Sequence, residues 1–226
     1  MQMRGVVFDL DGTLVYYSID RDALKRDLLS LIRNFGLPTS SLSDSDGVWA
    51  IVKKAMYLAN SIQLPKNRIT SLIDSMYEVI ERYEVDAAER LSLIDGVVQV
   101  LDYVKLHGFK VALYTLCGKR PAIKVLDRFN LARYFDAIVT RDDVKHLKPH
   151  PEHLMKAIQL IGLSPSEVIV VGDSVLDAEC AKKVGAIFVG VKTGVRSAEE
   201  LMLAGADYIL NSVAELPKLL YLLSPI

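Results

Sequence analysis

The sequence predicts an α/β fold: a doubly wound, Rossmann-like parallel-sheet core with an α-helical cap inserted into it. Three observations carry this expectation. From Val97 onward, short apolar runs alternate with amphipathic helical patterns, as expected of a parallel sheet covered on both faces. One further run, Val6-Val7-Phe8, stands far upstream of the others. Between it and the rest lie three helical patterns with no strand among them, which read as a small bundle. The expected division is residues 1–15 and 94–226 for the core, and 16–93 for the cap.

The elements follow in order. Residues 4–9 form the first strand, a short apolar run bounded by turn chemistry. From Asp20 the pattern turns helical, with Leu24, Leu28, Leu31, Ile32 and Phe35 at three-four spacing, stopped by Gly36 and Pro38. After a Ser/Asp-rich loop, Val48 to Ile62 and Ile69 to Leu91 show two more apolar faces. A helix over Val97–His107 ends at Gly108. Strands are expected at 109–115, 137–140, 168–172, 187–191 and 208–210. Helices are expected at 121–129, where proline suits the first turn, and at 151–161, 178–184 and 198–203, with a last one marked by Val213, Leu216, Leu219, Leu220 and Leu223.

Composition excludes several classes. The chain has 226 residues, 51% of them apolar, and a net charge of −1. Such a balance gives no general pull toward nucleic acid or an anionic membrane. No run approaches the ~20 apolar residues of a membrane span. The first apolar run is broken by Asp9, unlike a secretory signal. The two cysteines, Cys117 and Cys180, are too few and too far apart for a disulfide scaffold or a metal-ligand motif. A reduced, cytoplasmic setting is expected, with the chain a monomer or a homodimer.

Chemistry collects at strand ends. Asp9 and Asp11 close the first strand, two positions apart and so near one side. Taken alone the pair is equally a helix cap and a turn residue. Three other strand ends add Thr115, Lys148 in the loop His146–Pro151, and the segment Gly172-Asp173-Ser174-Val175-Leu176-Asp177. In an open α/β sheet such ends share the ligand-binding edge. Crowded carboxylates repel and call for a cation. Oxygen-only ligands favour Mg²⁺. Carboxylates, Mg²⁺, a lysine and a hydroxyl suit a phosphoryl group. One aspartate can attack phosphorus, and a second can protonate the leaving oxygen and then deprotonate water. Thr115 and Lys148 would hold the remaining phosphate oxygens.

These segments resemble the motifs of the haloacid dehalogenase-like hydrolases. Asp9-Leu10-Asp11-Gly12-Thr13 is similar to their first motif, Thr115 to the second, Lys148-Pro149 to the third, and Gly172-Asp173 with Asp177 to the fourth. The order fits over nearly the whole chain, helical insertion included. The resemblance implies Asp9 as nucleophile and Asp11 as general acid/base. It implies Mg²⁺ held by Asp9, the backbone carbonyl of Asp11, and Asp173, with Asp177 binding directly or supporting from behind. Dehalogenases of the family lack a carboxylate at the Asp11 position, so this chain is similar to the phosphatases, and among them to the phosphoglycolate phosphatase-like branch. The implied activity is hydrolysis of a small phosphorylated metabolite. A sugar phosphomutase similar to β-phosphoglucomutase is the alternative, and a phospho-accepting receiver domain a third. Relatives in that branch often carry Asn after the motif-two Thr; here Leu116-Cys117-Gly118 follows.

Other residues invite weaker readings. Tyr16 and Tyr17, at the expected hinge, and Leu116, Cys117, Gly118 and Arg120 are candidate substrate neighbours. His146, His150 and His153 are irregularly spaced and read as surface histidines before they read as a metal cluster. Cys180 reads as core. Lys192-Thr193-Gly194 lacks the glycines of a phosphate loop and reads as a turn.

Overall fold

The computed structural model describes residues 3–16, 18–43 and 46–223. The chain divides into two compact units, Met1–Tyr17 with Ala88–Ile226, and Ser18–Ala87. The return to the first unit falls earlier than expected because Ala88 and Leu91 bury in its core alongside Ile94.

The larger unit is built on six parallel strands in the order β3-β2-β1-β4-β5-β6. They are β1 (Gly5–Phe8), β2 (Lys110–Tyr114), β3 (Ala137–Val139), β4 (Val168–Gly172), β5 (Ile187–Val191) and β6 (Tyr208–Leu210). The order reverses between β1 and β4, which pair directly with Phe8 opposite Val171. Ligands bind at such a switch point because the connections leave in opposite directions and open a crevice.

Two-residue alternation sorts the strand side chains onto two faces. Val6, Phe8, Val111, Leu113, Ile169 and Val171 pack with Val97, Leu101, Val125 and Leu220. These four come from α4 (Val97–Leu106), α5 (Lys119–Arg128) and α9 (Leu216–Leu223). Val7, Ala112, Tyr114 and Val170 pack on the other face with Leu154, Ile158, Ala178, Ala181 and Leu201. Those belong to α6 (Pro151–Leu160), α7 (Val175–Val184) and α8 (Ala198–Ala204). Continuous burial of Val6, Val7 and Phe8 is what a central parallel strand requires.

The smaller unit holds α1 (Arg21–Asn34), α2 (Val48–Ser61) and most of α3 (Lys66–Ala88). Leu24, Leu28 and Ile32 pack with Ile51, Ala55, Leu72, Met76 and Ile80 in a separate core. Asp20 starts α1 by accepting the Ala23 amide hydrogen at 2.9 Å, a stabilisation of about 1 kcal/mol for such caps.

Two helices begin earlier than the sequence pattern suggests. α5 starts at Lys119, not Pro121, because Gly118 is extended there and Asp142 takes the Lys119 amide at 2.7 Å. α7 starts at Val175, not Ala178, because Ser174 and Asp177 form a capping box. Among the described residues no helix is long and apolar enough to cross a membrane.

Candidate active site

Asp9 follows β1 directly, and its amide continues the sheet by donating to Val171 O at 2.9 Å. The next residues turn sharply: Gly12 N–H donates to Val15 O at 2.8 Å, with Gly12 at φ +79°. Alternation carries Asp9 onto the face of Val7 and Tyr114. There Lys148 Nζ donates to Asp9 Oδ1 at 2.6 Å and to Asp177 Oδ1 at 2.7 Å. All three side chains are nearly fully buried.

Asp177 is held by protein donors on both oxygens. Tyr114 OH reaches Oδ1 at 2.6 Å, while the Ser174 hydroxyl and amide serve Oδ2. Burial and the Asp177 charge raise the Tyr114 pKa well above its ordinary value, so the phenol stays a donor. Lys148 Nζ also lies 3.6 Å from the centre of the Tyr114 ring, a cation–π contact. Burial works against the Lys148 charge, but Asp177 and Asp9 outweigh it and raise its pKa.

Asp173, at the end of β4, completes the cluster. Oxygens of Asp9, Asp173 and Asp177 lie within 4.8 Å of one another, all three residues buried. A Cβ on Gly194 would sit 1.7 Å from Asp173 Oδ2, and one on Gly12 would sit 2.6 Å from it. The turn after β5 therefore closes over Asp173, pinned by Thr193 Oγ1 donating to Gly12 O at 2.6 Å. Without a cation, burial pushes Asp9 up to about 8, against the Lys148 charge and with Asp177 and Asp173 adding to it. Burial, with Asp177 next, pushes Asp173 up to about 7. The donor set is oxygen only and needs positive charge to ionise fully, which fits a hard divalent cation.

Asp11 is half-buried and contributes repulsion at Asp173, but its side chain is not in the three-carboxylate cluster. Thr115 directly follows β2, the strand beside β1. Its amide donates to Val139 O at 2.9 Å, and its Oγ1 accepts the Cys117 amide hydrogen at 3.0 Å. That leaves the hydroxyl proton for another acceptor.

The candidate substrate residues are dispersed. Leu116 O accepts from Arg141 Nη1 at 3.1 Å, Cys117 is buried in the core, and Gly118 caps α5. Arg120 lines a groove along α5 with Glu89, Ile123, Lys124, Asp127 and Arg128, and no residue of the acid cluster lines it. Tyr16 is exposed and its amide donates to Ser92 O at 2.9 Å. Tyr17 lies outside the described residues.

His153 departs from the sequence reading. It is not at the surface but fully buried, edge-on to Tyr114 with ring centres 5.6 Å apart. The face of α6 that carries Leu154 and Ala157 also carries it inward. Burial, with the Lys148 charge next, lowers its pKa to about 4, so it is neutral behind the lysine. Sequence reasoning also missed Tyr114, Ser174 and Gly194. The signals were present: Tyr114 shares the strand parity of Ala112, Ser174-x-x-Asp177 is a capping pattern, and β5 ends at the same sheet edge.

Comparison with known proteins now decides the family. The model of the haloacid dehalogenase-like hydrolases matches residues 6–191. The chain belongs to the haloacid dehalogenase-like hydrolases. As such it is an enzyme, a hydrolase. Pyrophosphatase PpaX from Bacillus cereus is 26% identical to it over 216 residues, covering 96% of this chain and 95% of the relative. The crystal structure of a hydrolase from Pseudomonas syringae shares the fold, with a TM-score of 0.73 at 23% identity over 98% of this chain and 100% of the other. A candidate β-phosphoglucomutase from Thermotoga maritima has a TM-score of 0.62 at 26% identity, covering 96% of this chain and 98% of the other. Relatives of this hydrolase thus carry both phosphatase and phosphomutase descriptions.

Proposed function

We propose that this hydrolase is a Mg²⁺-dependent phosphatase of a small phosphomonoester, phosphoglycolate being the leading candidate, acting through an aspartyl phosphate on Asp9. The observation that carries the reading is the buried Asp9–Lys148–Asp177 array with Asp173 beside it, at the sheet's switch point. The buried Asp9–Lys148 pair has no structural task there that an apolar pair would not perform as well.

In this reading an Asp9 oxygen attacks phosphorus, and the bond to the leaving alkoxide breaks as Asp11 delivers a proton to it. Asp11 then takes a proton from water, whose oxygen attacks phosphorus and frees Asp9. Lys148 and Thr115 hold phosphate oxygens while charge redistributes. Asp9, the Asp11 carbonyl and Asp173 would hold Mg²⁺, which supplies charge neutralisation between anionic nucleophile and anionic phosphate. Asp177, its oxygens already engaged, positions Lys148. The helical unit as a substrate-selecting cap, and an intracellular setting consistent with the free cysteines Cys117 and Cys180, belong to the same proposal.

The 26% identity to a pyrophosphatase makes pyrophosphate the first competing substrate to assay. The candidate β-phosphoglucomutase of equal identity favours a second reading, in which the phosphoryl group returns to a sugar. The test measures phosphate release from phosphoglycolate, pyrophosphate and a panel of sugar phosphates, with Mg²⁺ and with a chelator. Release from a monoester that stops on chelation is expected. Isomerised hexose phosphate with little free phosphate would replace this reading with the mutase.

A further inference from the structure

The loop that delivers Lys148 carries a second ligand set on its outer side. His146, His150 and Glu152 bring donor atoms within 4.8 Å of one another. His146 Nδ1 lies 2.6 Å from Glu152 Oε2, and His150 Nδ1 lies 4.0 Å from the same oxygen. The two imidazoles lie with centres 4.5 Å apart, tilted 35° to one another. From these residues we propose a transition-metal site, suited to Zn²⁺, formed by His146, His150 and Glu152 and distinct from the acid cluster.

Geometry supports it. Bonds of about 2.0–2.1 Å to a tetrahedral Zn²⁺ put neighbouring ligand atoms about 3.3 Å apart. The observed spacings of 2.6 and 4.0 Å fall on either side of that value, so small rotations of exposed side chains complete the site. The carboxylate is already fixed: the Lys145 amide donates to Glu152 Oε1 at 3.0 Å, leaving Oε2 toward the imidazoles. The backbone is closed as well, by His150 N–H donating to Leu147 O at 2.9 Å. Coordination would replace two hydrogen bonds: the one between His146 Nδ1 and Glu152 Oε2 at 2.6 Å, and the one from the Glu152 amide to His150 Nδ1 at 3.2 Å, which caps α6.

Chemistry separates the two sites. Imidazole nitrogens suit Zn²⁺, Ni²⁺ or Cu²⁺ and are poor partners for Mg²⁺, whereas the buried acids offer only oxygen. The outer ligands also bracket Lys148-Pro149 in the chain. A metal there would tie together the segment whose lysine holds Asp9 and Asp177.

The test is Zn²⁺ titration of the full chain in a large excess of Mg²⁺, which keeps the acid cluster supplied with its preferred ion. Co²⁺ serves as a spectroscopic probe, since tetrahedral coordination gives strong visible bands. One equivalent of Zn²⁺ is expected to bind. His146→Gln and His150→Gln are each expected to weaken it roughly tenfold or more, with unchanged circular dichroism and Mg²⁺-supported turnover. Asp173→Asn is expected to leave it intact. Zn²⁺ binding lost in Asp173→Asn but kept in both histidine variants would overturn the proposal, as would an absence of binding.

Discussion

Lys148 is the residue on which the charge balance of the site turns. It is buried between Asp9 and Asp177 and donates to both, so its loss leaves carboxylates facing one another without a cation. Lys148→Met is expected to lower turnover by roughly 10²–10³, the scale for losing a donor to developing charge, in phosphate-release kinetics at saturating Mg²⁺. The acids set a second expectation. Asp9 and Asp173, at about 8 and about 7 without metal, must shed protons before a cation binds. Mg²⁺ affinity is therefore expected to climb as pH rises toward and through this range, then level off, in calorimetric titrations. Affinity that falls over the same range would contradict it. These acids and the lysine were legible in the sequence because charged residues at the ends of apolar strands are conspicuous. Tyr114 and His153 were not, because a tyrosine ending Val111-Ala112-Leu113 and a histidine on an amphipathic helix look like ordinary core. Only strand parity reveals that Tyr114 lies on the Asp9 side.

Among elements, the turn after β5 is where sequence said least and the fold adds most. Gly194 has no side chain because Asp173 occupies that space; a Cβ would fall 1.7 Å from Oδ2. Gly194→Ala is expected to cut Mg²⁺ affinity and turnover at least tenfold, since Asp173 must move. Gly108→Ala makes the control: its φ is +75°, but a Cβ there would meet no atom within 4 Å. That change is expected to cost about 1 kcal/mol of stability in denaturant titration and to leave turnover unaltered. The strand-helix alternation was readable in the order the chain presents it. Helix starts were less so, because they depend on caps: α7 begins at the Ser174–Asp177 box, and Asp177 also accepts from Lys148. One carboxylate thus serves both helix start and site, and a reading that gave it a single task misplaced the helix.

At the scale of the molecule, period-two and period-three-four patterns were enough to foresee a doubly wound sheet and a separate helical unit, because burial enforces both. Substrate identity was not legible, since in the proposed reading the residues at the sheet edge engage the phosphoryl group and a cation, which all such substrates share. The acid cluster also couples the site to the stability of the fold. Carboxyls raised by burial contribute stability that is full below their ordinary value of 3.8 and lost as pH rises through about 7 and about 8. The cation-free protein is expected to lose thermal stability toward alkaline pH, and Mg²⁺ to restore it by about 2.7 kcal/mol at a hundredfold excess over Kd, readable by calorimetry. The central claim is that Asp9 carries the phosphoryl group. Its most direct test is acid quenching of the enzyme during turnover of p-nitrophenyl phosphate, with mass spectrometry of the peptide containing Asp9. An added phosphoryl mass on Asp9, enriched in Asp11→Asn and absent in an inactive Asp9→Asn, is the predicted result; undiminished phosphate release by Asp9→Asn would contradict it.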